Sequence, residues 1–218
     1  MHTKKSLMPK AWPVPRKTRT KRFIAVPAHS KDKAINLLFI LRDILDLAKT
    51  RKEVNKILHQ GDVKVNNKIR KSDDFPVQIF DTISLERSSK YYKLEIVNKK
   101  FALKEIKKSE TGKKIVKIAG KTILAKGGIQ MNLADGANIL SKDAFNVGDS
   151  VLFNAEKGKI EKVLPLKVKS NVEIISGKHA GEMGVVLEII PLSRENAYKI
   201  KLDDKDVTLP FKTILVIA

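Results

Sequence analysis

Residues 50–67 read TRKEVNKILHQGDVKVNN, a stretch that predicts one helix followed by a tight strand hairpin. Thr50 precedes Glu53 by three residues. In this capping-box spacing a hydroxyl and a carboxylate each bind a backbone N–H that the first helical turn leaves unpaired. A helix is therefore expected to start at Thr50. Glycine commonly ends helices in a left-handed conformation, so the helix is expected to end at Gly61.

The predicted helix has an apolar face and a basic face. Val54, Ile57 and Leu58 recur at helical spacing on one side. The opposite side collects polar and basic residues, namely Lys52, Asn55, Lys56 and His59. One face can therefore be buried while the other stays available to a polyanion.

The residues after Gly61 predict the hairpin. Val63, Lys64 and Val65 alternate as a short strand does. Asn66 and Asn67 can turn the chain tightly because asparagine tolerates positive φ. One face of the hairpin is basic and carries Lys64, Lys68, Arg70 and Lys71.

A second helix is predicted before this one, over residues 35–48. Its apolar stripe consists of Leu37, Ile40, Leu41, Ile44 and Ala48. Arg42 and Asp43 face outward from that stripe. The stripe predicts that this is the buried helix of the unit.

These two helices and the hairpin resemble the S-four RNA-binding domain. The similarity rests on Thr50-Arg51, Ile57-Leu58, the run from Gly61 to Asn67, and Asp81-Thr82-Ile83. The resemblance implies that a helix pair and a hairpin loop present basic side chains to structured RNA. The sequence departs from the domain at Asn67 and Phe80, where glycine is usual or frequent.

The composition also favours a nucleic-acid partner. The 218 residues include 44 Lys and Arg against 24 Asp and Glu, a net charge of +20 that attracts a polyanion. The longest apolar run, residues 37–41, is too short to span a bilayer. The sequence has no Cys, which excludes disulfides and thiolate metal sites. Because nothing at the start resembles a signal peptide, a cytosolic location is expected.

Residues 1–30 form a basic, proline-interrupted tail with eight cations and no acid. Such a tail is expected to be disordered alone and to become ordered on RNA, where counterion release offsets the lost entropy. Trp12 has two open roles, stacking on a base or plugging an apolar groove.

The tail also carries a family resemblance. Residues 9–17, PKAWPVPRK, and the triplet Leu41-Arg42-Asp43 resemble the S-four-e family of small-subunit ribosomal proteins, as does the run GGIQMNLADGAN at residues 127–138. The sequence departs from the family at residues 1–5, at residues 27–30, and at Ala137, where arginine is frequent. The resemblance implies a structural role in an archaeal-type ribosome.

After residue 85 the pattern alternates as strands do. Strands are predicted over residues 92–97, 101–106, 114–118, 122–124, 129–133, 150–153 and 159–164. Turns are predicted at Gly112, Gly120, Gly127-Gly128, Gly136, Gly148-Asp149 and Gly158. This middle region is expected to form a small barrel.

The last unit, from about residue 168 to residue 218, contains SGKHAG at residues 176–181 followed by a strand. This run resembles a KOW motif, which implies a five-stranded barrel of the SH-three type. Gly181 and Gly184 are expected where positive φ or a close approach requires a residue without Cβ. Lys178 and His179 are expected to contact RNA phosphate or a neighbouring protein.

The sequence lacks the groups that catalysis would need. The four histidines His2, His29, His59 and His179 show no metal-ligand spacing. The carboxylate pairs Asp73-Asp74 and Asp203-Asp204 lie in predicted turns. Gly120-Lys121-Thr122 is not a phosphate-binding loop because Ile115 stands where that loop needs glycine. No catalytic residue, cofactor, metal ion or small-molecule substrate is therefore expected, and an RNA-modifying enzyme is the weakest alternative.

The predicted fold class is α+β and multidomain. A basic arm (residues 1–33) and a helix-pair and hairpin domain (34–90) precede two barrel-like β domains (91–167 and 168–218). The predicted function is a structural constituent of the small ribosomal subunit, one copy per ribosome, bound to rRNA and neighbouring ribosomal proteins in the cytoplasm. The alternative is a translation or transcription accessory factor that binds RNA transiently.

The predicted RNA-binding residues lie in the tail, on the basic helix, on the hairpin and in the KOW loop. They are Lys4, Lys5, Lys10, Trp12, Arg16, Lys17, Arg19, Lys21, Arg22, Arg42, Arg51, Lys52, Lys56, Lys64, Asn66, Asn67, Lys68, Arg70, Lys71, Lys178 and His179. Most are cations, so contacts to phosphate are expected to dominate and base reading to be minor.

Overall fold

The computed structural model describes residues 2–17, 22–124, 128–141, 144–155, 158–192, 195–202 and 205–217. The chain divides into two compact units, Met1–Lys113 and Lys114–Ala218. It is a mostly β protein with few helices. Gly127, Asp203 and Asp204, which the sequence assigned to turns, lie outside the described residues.

The first unit contains nine strands among its described residues. In chain order, β1 to β9 are His2–Lys4, Phe23–Ala25, Ala34–Asn36, Val63–Val65, Lys68–Ile69, Pro76–Gln78, Thr82–Leu85, Lys90–Val97 and Lys100–Glu105. β5, β4, β7, β8 and β9 lie in that order in one antiparallel sheet, while β1 pairs with β2 and β3 pairs with β6. The hairpin β4–β5 is therefore the edge of a larger sheet.

The helices of this unit are short. α1 (Leu37–Phe39) continues as a π-helical turn over Ile40–Ile44, and α2 spans Arg51–Gln60. Two 3₁₀ turns lie at Lys5–Leu7 and Lys108–Glu110. The unit's core includes buried side chains from both helices and from the sheet, among them Leu37, Ile40, Leu41, Val54, Leu58, Val63, Ile83 and Leu94.

The first predicted helix was wrong at both ends. Residues 34–36 form strand β3, and the helix begins only at Leu37. The side chain of Asn36 accepts a hydrogen bond from the backbone N–H of Phe39 at 3.2 Å, which caps the helix there. Asp46, with φ of 49°, lies in the left-handed region soon after the π turn, so the chain leaves the helix before Ala48.

The second helix and the hairpin are as predicted. The capping box of Thr50 and Glu53 is present, and Gly61 ends α2 with φ of 82°. Asn66 and Asn67 have φ of 50° and 63°, and the register pairs Val65 with Lys68 across a two-residue turn. These features form because each depends on atoms only a few residues apart.

The second unit consists mainly of two five-stranded sheets. In chain order, β10 to β19 are Lys113–Ile123, Ile129–Leu133, Asn138–Ser141, Ser150–Asn154, Lys159–Leu164, Asn171–Ile174, Met183–Ile190, Ala197–Lys201, Asp206–Pro210 and Ile214–Val216. A 3₁₀ turn spans Phe211–Thr213. The strand orders are β12-β11-β10-β13-β14 and β18-β17-β16-β15-β19.

Each sheet of the second unit has its own apolar cluster. The first is centred on Ile118, Met131 and Val151, and the second on Val172, Ile174, Val186 and Ile200. The four-part division of the chain stays a prediction. Strands β8 and β9, which the sequence assigned to the central part, belong to the sheet that contains the hairpin, where β8 pairs with β7 and β9 pairs with β8.

The turn predicted at Gly120 was wrong. β10 continues through this residue, which pairs with Asn132 of β11, and the register between the two strands shifts between Ile118 and Gly120, leaving Ala119 as a bulge. A bulge bends one strand without ending the ladder. The two short strands expected here are therefore one long strand.

The two glycines of the last sheet have the predicted roles. Gly181 has φ of 91°, which favours glycine. A Cβ at Gly184 would lie 2.5 Å from the carbonyl oxygen of Lys201 and 2.7 Å from Cγ2 of Ile200. Only glycine allows β16 and β17 to approach this closely.

Candidate nucleic-acid interface

The candidate interface is built on α2, whose first turn is fixed by side chains. The hydroxyl of Thr50 accepts from the backbone N–H of Glu53 at 3.3 Å. The carboxylate of Glu53 accepts from the backbone N–H groups of Lys49 and Thr50 at 2.8 and 3.2 Å. These hydrogen bonds favour the ionised carboxylate and lower the pKa of Glu53 below its ordinary value.

Two lysines project from α2 into solvent. Val54 and Leu58 are buried on the inner face, while Lys52 and Lys56, one turn apart, are exposed. Neither lysine has an ion-pair partner among the residues that the structure describes. His59 on the same side bonds through Nδ1 to the carbonyl oxygen of Asn55 at 2.6 Å. The helix therefore offers two free ammonium groups.

The hairpin lies against the end of α2. A Cβ at Gly61 would lie 3.9 Å from Cγ2 of Ile69 in β5. Lys68 and Lys71, on either side of Ile69, are exposed and have no ion-pair partner within the described ranges. The fold therefore places the free cations of α2 and those of the hairpin on adjoining elements.

Two other cations of the hairpin are used within the chain. Lys64 binds the carboxylate of Glu86 at 2.7 Å and thereby lowers the pKa of that carboxyl group. The guanidinium of Arg70 lies 4.2 Å from the ring centroid of Phe75. Each keeps a half-buried position, so these two cations are less available to RNA than Lys68 and Lys71.

Arg51 and Arg42 also have internal partners. Arg51 binds both carboxylate oxygens of buried Asp73, with Nη2 to Oδ1 at 3.1 Å, and this carboxylate raises the pKa of Arg51. Arg42 binds Asp43 at 2.7 Å and lies 5.5 Å from the ring centroid of Phe39. Arg51 ties the start of α2 to the segment before β6.

The two turn asparagines are structural. The side-chain amide of Asn66 donates to the carboxylate of Asp81 at 2.8 Å, and its oxygen accepts from the backbone N–H of Thr82 at 3.0 Å. These bonds tie the hairpin turn to the start of β7. Asn67 is also engaged in an interaction within the chain.

The described residues of the tail, 2–17 and 22–30, are packed within the first unit. The backbone N–H of Phe101 donates to the carbonyl oxygen of Ala11 at 2.8 Å, and β1 pairs with β2. The described part of the tail is therefore packed in this structure, where the sequence predicted a segment that is disordered alone. Its exposed cations without a partner in the described part of the chain are Lys4, Lys10, Lys17 and Arg22.

The remaining predicted cations of the tail differ in their placement. Lys5 is buried and engaged in an interaction within the chain. The guanidinium of Arg16 donates to the carbonyl oxygen of Met8. Arg19 and Lys21 lie outside the described residues.

The side chain of Trp12 fills an apolar groove in this structure and is not exposed for stacking. Its side chain is 1% exposed, and its indole N–H donates to the carbonyl oxygen of Ala34 at 3.0 Å. Its ring centroid lies 5.6 Å from that of Phe39. Of the two roles that the sequence left open, the structure supports filling an apolar groove, and the contact of Trp12 with RNA stays a prediction.

In the last sheet, the predicted loop precedes β16. Lys178 is exposed and has no partner among the described residues. Nδ1 of His179 lies 2.9 Å from a carboxylate oxygen of Glu182. The loop therefore offers one free cation, while its histidine has an acidic neighbour.

Sequence reasoning missed one exposed aromatic residue, Phe23. It lies on β2 and is 53% exposed, next to the ring of His2 and directly across the ladder from Lys4. An aromatic residue between cations in a basic tail is the signal that could have identified it.

A metal ion needs several acidic, cysteine or histidine side chains grouped together. The described residues contain no cluster of three or more His, Cys, Asp or Glu side chains that could hold a metal ion. Asp73 is bound to Arg51, and Asp74 accepts from the hydroxyl of Ser72 at 2.5 Å. None of the helices within the described ranges is both long enough and apolar enough to cross a membrane.

Fold and surface together define a class: a basic, mostly β protein that presents unpaired lysines on one short helix and an adjoining hairpin. The model of the ribosomal family S4e, the S-four-e family, matches residues 88–160, and the KOW motif matches residues 168–194. The small ribosomal subunit protein eS4 of Methanocella arvoryzae is 38% identical over 192 residues, which cover 86% of this chain and 80% of that protein. The chain belongs to the S4e family.

Further relatives extend the similarity. The small ribosomal subunit protein eS4 of Nanoarchaeum equitans is 35% identical over 193 residues, covering 87% of this chain and 82% of that protein. The crystal structure of the 30S ribosomal protein S4e from Thermoplasma acidophilum superposes with a TM-score of 0.75 at 24% identity. That superposition covers 86% of this chain and 96% of the other. This likeness shows that the two chains share a fold.

Proposed function

We propose that this protein is a structural constituent of the small ribosomal subunit that binds and stabilises rRNA. Membership in the S4e family supports the ribosomal role. The observation that carries the mechanism is the set of unpaired, exposed lysines on α2 and the hairpin, Lys52, Lys56, Lys68 and Lys71. Free ammonium groups on adjoining rigid elements suit the phosphate backbone of a folded RNA.

The proposed contacts are mainly electrostatic. Each lysine that neutralises a phosphate releases condensed counterions, so affinity falls as salt rises. Phosphate contacts set position and orientation but do not read sequence. Selectivity then depends on how well the basic surface follows the shape of its RNA.

The proposed organisation is a basic arm (residues 1–33), a helix-pair and hairpin domain (34–90) and two barrel-like β domains (91–167 and 168–218). The hairpin domain presents Lys52, Lys56, Lys68 and Lys71, and the KOW loop adds Lys178. Lys4, Lys10, Lys17 and Arg22 extend the basic surface from the arm. The family match to residues 168–194 supports the last part of this division.

The proposed partners are small-subunit rRNA and neighbouring ribosomal proteins, with one copy of this chain per cytoplasmic ribosome. The proposal includes no catalytic step and needs no cofactor, metal ion, small-molecule substrate or membrane. The four free lysines support a binding role.

An accessory factor that binds RNA transiently remains the alternative, because KOW barrels and S-four domains also occur in proteins of that kind. The two roles differ in occupancy. Native lysate is sedimented through a sucrose gradient in high salt, and every fraction is probed for this chain. We expect it to remain with the small subunit at near-equal copy number. Migration to the top of the gradient would contradict the structural role and favour the accessory factor.

A further inference from the structure

The outer face of the β1–β2 pair combines aromatic rings with cations. Directly opposed residues of antiparallel strands lie on the same face, and successive residues alternate between faces. The register pairs Lys4 with Phe23 and Thr3 with Ile24. His2 and Lys4 therefore share one face with Phe23, while Thr3 and Ile24 lie on the other.

The inner face is the one without Phe23. Ile24 is buried, and the hydroxyl of Thr3 accepts from Nζ of Lys31 at 3.4 Å. The outer face is exposed at His2, Lys4 and Phe23. The ring of Phe23 is thus directed away from the core of its own unit.

The rings of His2 and Phe23 form an edge-to-face pair. Their centroids are 5.3 Å apart, and their planes meet at 86°. Such a pair covers at most one face of the Phe23 ring, whichever ring contributes the edge. At least one face of the phenyl ring is left for another flat group, in agreement with its 53% exposure.

Cations flank this open ring face. Lys4 lies across the ladder from Phe23, and Arg22 precedes Phe23 in the chain. The carbonyl oxygen of Arg22 accepts from the backbone N–H of Lys5 at 3.0 Å, which holds Arg22 beside the end of the pair. Neither Lys4 nor Arg22 has a partner among the residues described, so both are available to phosphate.

We propose that Phe23, supported by His2, is a stacking platform for one unpaired base of the bound RNA. Lys4 and Arg22 bind the phosphates that adjoin that base. An exposed aromatic ring between free cations provides the two interactions that single-stranded nucleic acid needs, a flat apolar surface for the base and positive charge for the backbone. This inference rests on the proposed function and assigns a base contact to a surface otherwise suited only to phosphates.

The first test compares full-length variants in binding to small-subunit rRNA. Stacking on an aromatic side chain strengthens binding by roughly 5- to 150-fold per base. We expect Phe23→Leu to weaken binding within that range without changing the dependence of affinity on salt. Lys4→Ala should instead flatten the salt dependence, by about 0.7–0.9 in the slope of log K against log salt. Leu7→Ala, at a residue that is 66% exposed in the same arm, is the control and should bind as the parent does.

The second test detects stacking on residue 23 directly, by fluorescence. Trp12 is the only tryptophan and is buried, so Phe23→Trp introduces one exposed indole. We expect its emission to be quenched when small-subunit rRNA or an eight-residue oligoadenylate is added, while the parent's emission changes little. This variant also keeps a large aromatic ring and should retain affinity where Phe23→Leu loses it.

The outcomes separate this inference from the proposed function. If Phe23→Leu binds with the parent's affinity, or if Phe23→Trp binds rRNA without quenching, the stacking platform is wrong while the ribosomal role stands. If the parent chain itself does not bind small-subunit rRNA, the proposed function fails. If Phe23→Leu does not fold, the emission of Phe23→Trp is the test: quenching by rRNA supports the stacking platform, and its absence contradicts it.

Discussion

Lysines in two regions of this molecule differ in their exposure and in their pairing. On α2, Lys52 and Lys56 are exposed and without a partner in the described part of the chain. On β10, Lys114 and Lys117 are each only 7% exposed. Lys114 forms an ion pair with Asp135, and Nζ of Lys117 donates to the carbonyl oxygens of Phe211 and Ile214, the latter at 2.8 Å.

The difference lies in what surrounds each element. α2 buries only one face and exposes the other, whereas Lys114 and Lys117 lie in the largely buried half of β10, residues 114–118, between β11 and β13 in a five-stranded sheet. A charged group taken out of water must be paired or hydrogen-bonded. The ammonium group of Lys117 meets this requirement through its hydrogen bonds to the two carbonyl oxygens. The net charge of +20 therefore overstates the charge that RNA can reach.

The largest effect on stability is expected at Lys117. Lys117→Met keeps the apolar stem but leaves the carbonyl oxygens of Phe211 and Ile214 without this donor. Hydrogen bonds to charged groups contribute roughly 1.5–3 kcal/mol each, so we expect the free energy of unfolding to fall by about 3 kcal/mol in urea denaturation. Lys162→Met, at an exposed position on β14, is the control. Equal denaturation midpoints for the two variants would contradict an anchoring role for Lys117.

A smaller effect is expected at the cap of α2. Thr50→Ala removes the acceptor for the backbone N–H of Glu53 and should lower the free energy of unfolding by about 1 kcal/mol. Thr50→Ser keeps the hydroxyl and should retain the parent's stability. A melting temperature of Thr50→Ala equal to that of the parent would show that the hydroxyl does not cap the helix.

The carboxylate of the same cap predicts a pH dependence. Because hydrogen bonds from Lys49 and Thr50 lower the folded-state pKa of Glu53, its contribution to stability is complete above its ordinary value of 4.5. That contribution is lost as the pH falls through the lower, folded-state value. We therefore compare thermal melts of the parent and of Glu53→Gln between pH 6 and pH 3, a range of about three units around that value. The melting temperature of the parent is expected to fall more steeply with decreasing pH than that of Glu53→Gln. Parallel curves for the two proteins would rule out this linkage.

The smallest effect on stability is expected at the two α2 lysines that are proposed to bind rRNA. Lys52→Ala combined with Lys56→Ala removes two unpaired surface cations, so the free energy of unfolding should change by no more than about 0.5 kcal/mol. The slope of log K for rRNA against log salt should flatten by about 1.5. Lys162→Ala combined with Lys205→Ala removes two exposed lysines of the second unit and is the control. An unchanged slope for the α2 variant would show that α2 does not face RNA.

Much of the candidate site was predictable because its geometry is local. The capping box, the left-handed Gly61 and the positive φ of Asn66 and Asn67 each depend on a few consecutive residues. The same is true of Lys52 and Lys56, whose place opposite Val54 and Leu58 follows from helical spacing. Gly184 was also predicted, through the resemblance to a KOW motif.

The amino-acid sequence alone specified α2, its hairpin and most strands, because hydrogen bonds within a turn and the alternation of side chains act over short stretches. The tertiary structure decided which cations are free. Asp73 binds Arg51 from 22 residues away, Ala34 accepts from Trp12 across the same separation, and Ile214 accepts from Lys117 across 97 residues. Burial and pairing of this kind depend on contacts between distant segments, and no pattern within one segment encodes them.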